Sequence, residues 1–178
     1  TDGGETWSEP TLLDVKKASE QSLLVGPGRG IVISTGEHKG RIVFTCYEFT
    51  NGDKNSAAIY SDDNGVTWHR GASAKNFSSE AVVTEADGKL YMFVRRENVY
   101  YVSNDGGETW SDPQAMGISY NATCQLTATT YSEKINGKTA IFFACPSNTS
   151  SRAAGKIYVG LVQDDGSIDW AYDYSING

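Results

Sequence analysis

The chain contains the stretch Ser61-Asp62-Asp63-Asn64-Gly65-Val66-Thr67-Trp68, and its pattern of Ser-x-Asp-x-Gly-x-Thr-Trp returns at residues 103–110. Residues 2–7 match the pattern without the leading Ser, and residues 165–170 hold a shorter copy. We call the four copies, in chain order, the first to fourth turn repeats. An Asp that hydrogen-bonds its own backbone, a Gly that is free to adopt positive φ and a large buried Trp are typical of a tight turn between two strands. Each repeat is therefore predicted to close one hairpin.

The spacing of the turn repeats indicates the architecture. Their tryptophans lie at positions 7, 68, 110 and 170, so the intervals are 61, 42 and 60 residues. The shortest interval is what four strands and their turns require, and the longer intervals fit blades with loop insertions. A radial stack of such sheets is a β-propeller. Because no stretch shows the apolar period of a helix, we predict an all-β fold of antiparallel four-stranded blades, with no domain boundary inside residues 1–178.

Composition excludes some classes of partner. Hydrophobic residues make up 39% of the chain and aromatic residues 11%, which is enough for a packed core. The net charge is −7 and the longest basic run is the pair Arg95-Arg96, so nucleic acid is not expected as a partner. No apolar stretch approaches the roughly 18 residues that a membrane-spanning helix needs, so no membrane span is expected.

The cysteines and the glycosylation sequons carry little functional information. Three cysteines cannot all pair with one another, and the spacing of Cys46, Cys124 and Cys145 fits no zinc site, so we predict buried thiols. Sequons for N-glycosylation occur at 76–78, 121–123 and 148–150. A pattern this short arises easily by chance.

One predicted hairpin carries two charged residues at the same end. The β-rich runs at 79–85 and 90–95 are joined by Asp87-Gly88, a strong hairpin signal. Glu80 begins the first strand and Arg95 ends the second, so the two side chains are expected to be adjacent. Spacing alone favours a plain ion pair. The alternative is a functional pair, because propeller sites lie at the central axis, where the innermost strands of the blades open.

The turn repeat resembles the Asp box of sialidases, which lies on the outer rim of a six-bladed propeller. The chain as a whole resembles bacterial exo-α-sialidases, and the resemblance implies that it covers about half of the catalytic propeller, its middle to C-terminal blades. On this resemblance the first arginine of the family's triad, the Asp acid/base and the Tyr nucleophile are expected outside the chain. Tyr172 and Tyr174 come too early to be the nucleophile and are expected on the rim.

The resemblance also implies site residues. The segment 79–95 resembles the sialidase segment in which a Glu partners the Tyr nucleophile and an Arg binds the substrate carboxylate, so Glu80 is implied as the catalytic glutamate and Arg95 as the second triad arginine. Arg96 is the competing choice. Residues 151–160 resemble the segment of the third arginine, which implies Arg152, whereas without the family pattern a solvated loop arginine is preferred.

A further match is Cys124-Gln125-Leu126-Thr127. The family often has an aromatic residue directly before this Cys, where the present chain has Thr123. Tyr120 is the alternative source of an aromatic wall and is expected to contact substrate.

The substrate explains these residue types. Sialic acid carries a carboxylate on its reacting carbon, and arginines bind carboxylates in bidentate fashion. A neutral tyrosine activated by a Glu avoids the charge repulsion that a carboxylate nucleophile would meet, and sialidases are an exception among glycosidases in this respect.

The resemblance therefore implies a sialidase that releases terminal sialic acids from glycoconjugates with retention, through a tyrosyl intermediate. It implies no cofactor and no metal, sialylated glycans as partners, a monomer, and a secreted or cell-surface location in a bacterium. The linkage preference stays open, as does the choice among hydrolysis, an anhydro product and transfer.

Two alternatives remain open. The first is a non-catalytic Asp-box propeller that binds glycan or protein ligands, although the pairing of Glu80 with Arg95 at the inner end of a blade argues against it. The second is another glycosidase with the same box, which would use two carboxylates and need no arginine cluster.

Overall fold

The computed structural model describes residues 2–74 and 79–176, and this part of the chain contains strands, turns and loops but no helix. Its strands form three antiparallel sheets, and each sheet is built from strands that are consecutive in the chain. The predicted all-β class and the antiparallel sheets are confirmed. The sequon at 76–78 lies outside the described residues.

The first sheet has one strand more than predicted. Its strands are β1 (Ser22–Val25), β2 (Ile31–Val32), β3 (Ile42–Thr50), β4 (Asp53–Ser61) and β5 (His69–Arg70). The order is β1-β3-β4-β5, and β2 also pairs with β3. The inner strand is divided in two because the glycine-rich loop at 26–30 interrupts it, and both pieces pair with the long β3.

The second and third sheets have four strands each, in chain order. The second consists of β6 (Ala81–Ala86), β7 (Lys89–Val94), β8 (Val99–Ser103) and β9 (Gln114–Ala115). The third consists of β10 (Thr127–Ile135), β11 (Lys138–Pro146), β12 (Gly155–Val162) and β13 (Ile168–Ser175). The second, third and fourth turn repeats connect the last two strands of the first, second and third sheets, so the hairpin prediction is confirmed for these copies.

Hydrogen bonds inside the second turn repeat explain why its residue types recur. The Asp63 carboxylate accepts from the Thr67 backbone N–H at 2.8 Å and from the Thr67 hydroxyl at 2.6 Å. The Ser61 hydroxyl oxygen accepts from the Gly65 N–H at 2.8 Å. Asn64 and Gly65 have φ values of 59° and 87°, which is why the repeat uses Asn or Gly followed by Gly here. The third repeat has the same bonds: Asp105 accepts from Thr109, and the Ser103 hydroxyl oxygen accepts from the Gly107 N–H.

The core lies between the sheets, which pack face to face. Aromatic side chains fill the space between the second and third sheets: Tyr91, Phe93, Tyr120, Phe143, Tyr158 and Trp170. Smaller side chains fill the space between the first and second sheets, among them Val43, Ala58, Val83 and Leu90. Strand β6 contacts β10 on one side and β2 on the other, so the first strands of the three sheets converge. The two ends of β6 are therefore where a central site can form.

Two charged side chains join the first sheet to the second. Glu85, near the end of β6, accepts hydrogen bonds from the backbone N–H and the hydroxyl of both Ser34 and Thr35. Arg41, which is 5% exposed, binds both carboxylate oxygens of Asp62 in the second turn repeat and the carboxylate of Glu108 in the third. These contacts fix the position of one sheet against the next.

The three cysteines are buried and unpaired, as the sequence predicts. Burial raises the pKa of Cys46 to about 11, which keeps this thiol protonated and unreactive at neutral pH. No helix within residues 2–74 and 79–176 is long and apolar enough to cross a membrane.

Candidate active site

Glu80 and Arg95 meet directly beyond the paired ends of β6 and β7. Ala81 pairs with Val94 in the hairpin register, and the Arg95 backbone N–H donates to the Glu80 carbonyl at 2.8 Å. The Arg95 Nη1 donates to Glu80 Oε1 at 2.7 Å. The Glu80 side chain is 24% exposed and that of Arg95 is 22% exposed, so the pair is partly open to solvent. The predicted adjacency is confirmed.

A second contact fixes the Arg95 guanidinium. Its Nε donates to the Thr123 carbonyl at 2.8 Å, in the turn that precedes β10. Its Nε and Nη1 are thus both held, and within the described residues the Nη2 group makes no hydrogen bond. An arginine that is held in this way loses little side-chain freedom when it binds a carboxylate.

The structure distinguishes Arg95 from Arg96. Arg96 has φ of 82°, and its backbone N–H donates to the Ala122 carbonyl at 2.6 Å. The Arg96 side chain is exposed and forms no ion pair in the part of the chain that the structure describes. Only Arg95 is thus brought to Glu80. The left-handed backbone at Arg96 turns the chain away two residues after β7 ends at Val94.

Arg152 lies in the loop between β11 and β12, where its side chain is exposed. The Ser147 N–H closes the loop by donating to the Ala154 carbonyl at 2.8 Å, and Asn148 Oδ1 accepts from the Ser151 N–H at 3.1 Å. No described contact joins the Arg152 guanidinium to Glu80 or Arg95. The loop itself is joined to the turn that holds Arg95, because Asn121 Nδ2 donates to the Ser151 carbonyl at 2.9 Å.

The structure corrects the prediction for Tyr120. Its side chain is 3% exposed, lies 5.1 Å from the Phe143 ring in an edge-on contact, and donates its hydroxyl to the Glu97 carbonyl at 3.3 Å. Burial raises the pKa of the Tyr120 hydroxyl. Tyr120 is therefore a core residue and does not present an aromatic wall to the site. Its position in the sequence suggested that it is near the site, but its ring packs against Phe143 in the core.

Two residues beside Glu80 were not assigned from the sequence. Pro27 and Gln125 line the same small surface depression as Glu80. The sequence pointed to the loop of Pro27 through the many glycines at 26–30, which allow backbone to approach another element closely. The loop does pass close to β6, because a Cβ at Gly28 would lie 3.4 Å from Val82 Cγ1. Gln125 could have been found because it belongs to the run 124–127 that resembles the sialidase family.

The other predicted features lie away from this surface. Tyr172 and Tyr174 are exposed on β13, the strand at the opposite edge of the third sheet from β10, and the Tyr172 hydroxyl accepts from Asn136 Nδ2 at 2.8 Å. Within residues 2–74 and 79–176 no three His, Cys, Asp or Glu side chains are grouped so that they could hold a metal ion.

Comparisons with known proteins show the family to which the chain belongs. The family described as "BNR repeat-like domain" matches residues 1–171. An anhydrosialidase of Macrobdella decora is 36% identical over 99% of the chain and 25% of its own length, and sialidase B of Streptococcus pneumoniae is 34% identical over 98% of the chain and 26% of its own length. The chain thus spans about a quarter of the length of these relatives.

A solved structure gives the same result for the fold. The intramolecular trans-sialidase of Ruminococcus gnavus, in complex with oseltamivir carboxylate, superposes with a TM-score of 0.88 at 34% identity, over 99% of the chain and 39% of that protein. The three sheets are therefore three blades of a sialidase propeller, and the total of six blades stays a prediction. The chain belongs to the BNR repeat-like domain family and corresponds to part of a sialidase catalytic domain.

Proposed function

We propose that the chain is the part of an exo-α-sialidase that binds the sialic acid carboxylate and activates the nucleophile. The observation that carries the proposal is the Glu80–Arg95 pair, which is held at the inner end of a blade and remains partly open to solvent. Similarity to sialidases over nearly the whole chain supports it.

Each residue has a distinct role in this proposal. Arg95 and Arg152 bind the substrate carboxylate, and bidentate contacts orient the sugar ring. Glu80 accepts the proton of a tyrosine that another part of the enzyme supplies, and the tyrosine oxygen attacks the anomeric carbon. The glycosidic bond breaks in the same step, and the leaving alcohol takes a proton from the Asp acid/base, which is also expected outside the chain. The substrates are sialylated glycans, which are found outside cells, and we therefore propose a secreted or cell-surface location.

The relatives differ in what attacks the intermediate. In hydrolysis a water molecule attacks the anomeric carbon, whereas an anhydrosialidase or intramolecular trans-sialidase, as named among the relatives, would use a hydroxyl of the same sugar. The two products differ by one water molecule. A mass spectrum of the released sugar therefore distinguishes them.

The arginine assignments are tested by calorimetric binding of oseltamivir carboxylate to the complete enzyme. The Arg95→Ala and Arg152→Ala variants should each lose about 2 kcal/mol or more, because each change removes a cation that pairs with the ligand carboxylate. Arg96→Ala is the matched control, since it removes an exposed arginine from the adjacent position, and it should bind like the parent protein.

Two results would contradict the assignments. If Arg96→Ala weakens binding and Arg95→Ala does not, the two arginines have been assigned in the wrong order. If neither Arg95→Ala nor Arg152→Ala weakens binding, the likeness to sialidases extends to the fold but not to the site.

A further inference from the structure

Asn121 lies between the two elements that carry the proposed carboxylate-binding arginines. It is 4% exposed, in the turn that precedes β10. Its Nδ2 donates to the Ser151 carbonyl at 2.9 Å, directly before Arg152. Its Oδ1 accepts from the Thr123 N–H at 3.1 Å and from the Thr123 hydroxyl at 2.5 Å. One side chain therefore contacts both the loop of Arg152 and the turn that holds Arg95.

The turn at 121–123 binds the end of β7 through two further contacts. The Thr123 carbonyl accepts from Arg95 Nε at 2.8 Å, and the Ala122 carbonyl accepts from the Arg96 N–H at 2.6 Å. The Asn121 N–H donates to the Pro146 carbonyl at 2.8 Å, where β11 ends and the loop of Arg152 begins. The turn is thus fixed to the second blade by its carbonyls and to the third blade by Asn121.

The loop of Arg152 has few hydrogen bonds to other parts of the described chain. Among the described residues, the hydrogen bonds of loop 147–154 stay inside the loop, apart from the one that Asn121 Nδ2 donates to Ser151. Arg152 itself is exposed and makes no described contact that would orient it. Apart from strands β11 and β12 at its two ends, the loop of Arg152 is therefore joined to the turn that holds Arg95 by Asn121.

We propose that Asn121 is a positioning residue that sets the separation of Arg95 and Arg152 for a single carboxylate. This inference rests on the proposed function, since it assigns no contact between Asn121 and the substrate. Two arginines bind one carboxylate well only when both are held at the right distance, and a displacement of about 1 Å can cost a factor of 10². A side-chain amide suits the task because it donates and accepts at the same time.

The test uses Asn121→Asp in the complete enzyme. Asp keeps the oxygen that accepts from Thr123, but when it is ionised it cannot donate to the Ser151 carbonyl and repels it, so the contact with the loop of Arg152 is lost. Binding of oseltamivir carboxylate should weaken by about tenfold or more. In an Arg152→Ala background the same change should have little further effect, because the residue that Asn121 positions is then absent.

Two further variants complete the test. Asn136→Asp is the matched control, because Asn136 Nδ2 donates to the Tyr172 hydroxyl at the opposite end of the third blade, and this change should leave binding unaltered. Asn121→Ser introduces no charge, and its hydroxyl can still accept from the Thr123 N–H without reaching Ser151. It should reproduce the effect if Asn121→Asp fails to fold, which thermal unfolding of each variant will show.

The outcomes separate this inference from the proposed function. If the Asn121 variants bind like the parent, or weaken binding equally with and without Arg152, Asn121 does not act through Arg152 and the inference fails. If Arg95→Ala and Arg152→Ala themselves leave binding unchanged, the proposed function fails first. Loss of binding that depends on Arg152 supports both.

Discussion

At the scale of single residues, the stability of the turn repeats depends on whether their aspartates are ionised. Hydrogen bonds from the Thr67 hydroxyl and backbone lower the pKa of Asp63 to about 2. For Asp105, burial alone would raise the pKa, but hydrogen bonds from Thr109 and Ser103 outweigh it and lower the pKa below its ordinary value. The hydrogen bonds of the folded turn therefore stabilise the ionised form of each carboxylate.

These shifts predict that acid destabilises the chain. A carboxyl whose pKa is lower in the folded than in the unfolded state stabilises the fold fully above its unfolded value of about 4, and that contribution is lost as pH falls through the folded value. The free energy of unfolding should therefore decrease between about pH 4 and pH 2, and urea unfolding at several pH values measures it.

Variants identify the groups responsible for this pH dependence. Asp63→Asn combined with Asp105→Asn should flatten the decrease, because neither amide ionises. The control Asp112→Asn changes an exposed aspartate whose carboxylate takes no part in a described hydrogen bond, and it should leave the slope unaltered. An unchanged slope in the double variant would show that the acid sensitivity arises elsewhere.

Contacts between residues could be predicted from the sequence where the partner is close along a hairpin. Glu80 and Arg95 were predicted to be adjacent because one Asp-Gly turn fixes their register. Asn121 was noticed only as part of a sequon, because its partner Ser151 is 30 residues away and belongs to another element. Tyr120 was misassigned because nothing in its local sequence shows that its ring packs on Phe143.

At the scale of structural elements, Arg41 connects turn repeats that belong to different blades. Its Nε and Nη2 bind Asp62 at 2.8 and 2.9 Å, and its Nη1 binds Glu108 at 3.1 Å. The same Nη1 lies 3.2 and 3.3 Å from the carbonyls of Asp105 and Gly106. The guanidinium therefore satisfies acceptors from two hairpins at once.

We predict that Arg41→Ala destabilises the chain by about 2–3 kcal/mol, because it leaves several acceptors without a donor, although both carboxylates are about half exposed and can be partly solvated. Arg41→Lys should recover only part of the loss, since an ammonium cannot reproduce the two parallel bonds to Asp62. Urea unfolding measures both.

Lys138→Ala is the control for Arg41. It removes a surface ion pair whose partner, Asp164, is 96% exposed, so it should change the free energy of unfolding by less than about 1 kcal/mol. If Arg41→Ala is as mild as Lys138→Ala, the link between repeats does not contribute to stability.

Strands were predictable where apolar runs end in a turn signal. The hairpin of β6 and β7 has such runs, and its observed bounds agree closely with the predicted ones. Strand β1 was not predicted, because its four residues show no clear alternation and it depends on pairing with β3. Strand β10 was expected at 124–131 but begins at Thr127, since the residues before it form the turn that carries Asn121.

At the scale of the whole molecule, the blades approach so closely that some positions allow only glycine. A Cβ at Gly71, after the last strand of the first blade, would lie 2.2 Å from the Gly107 carbonyl oxygen in the third turn repeat. The neighbouring Ala72 N–H donates to the Glu108 carbonyl at 2.7 Å, so the two backbones are joined at this point.

Gly71→Ala should therefore destabilise the chain by roughly 1–3 kcal/mol, because backbone must move to relieve the overlap. Gly155→Ala is the matched control: its added Cβ would meet Ile176 at 3.5 Å, an ordinary contact, and no positive φ is involved. Thermal unfolding of the two variants compares them. Equal stability would mean that the blades can separate at Gly71 without cost.

The consecutive order of the strands has a consequence for how the protein is made. No strand within residues 2–74 and 79–176 is shared between sheets, so each blade can close soon after its own residues leave the ribosome. Arg41 meets Asp62 after a further 21 residues but must wait for Glu108, which follows it by 67. During synthesis the Arg41 guanidinium can thus bind Asp62 as soon as the first blade has folded. It binds Glu108 only after the second blade has folded.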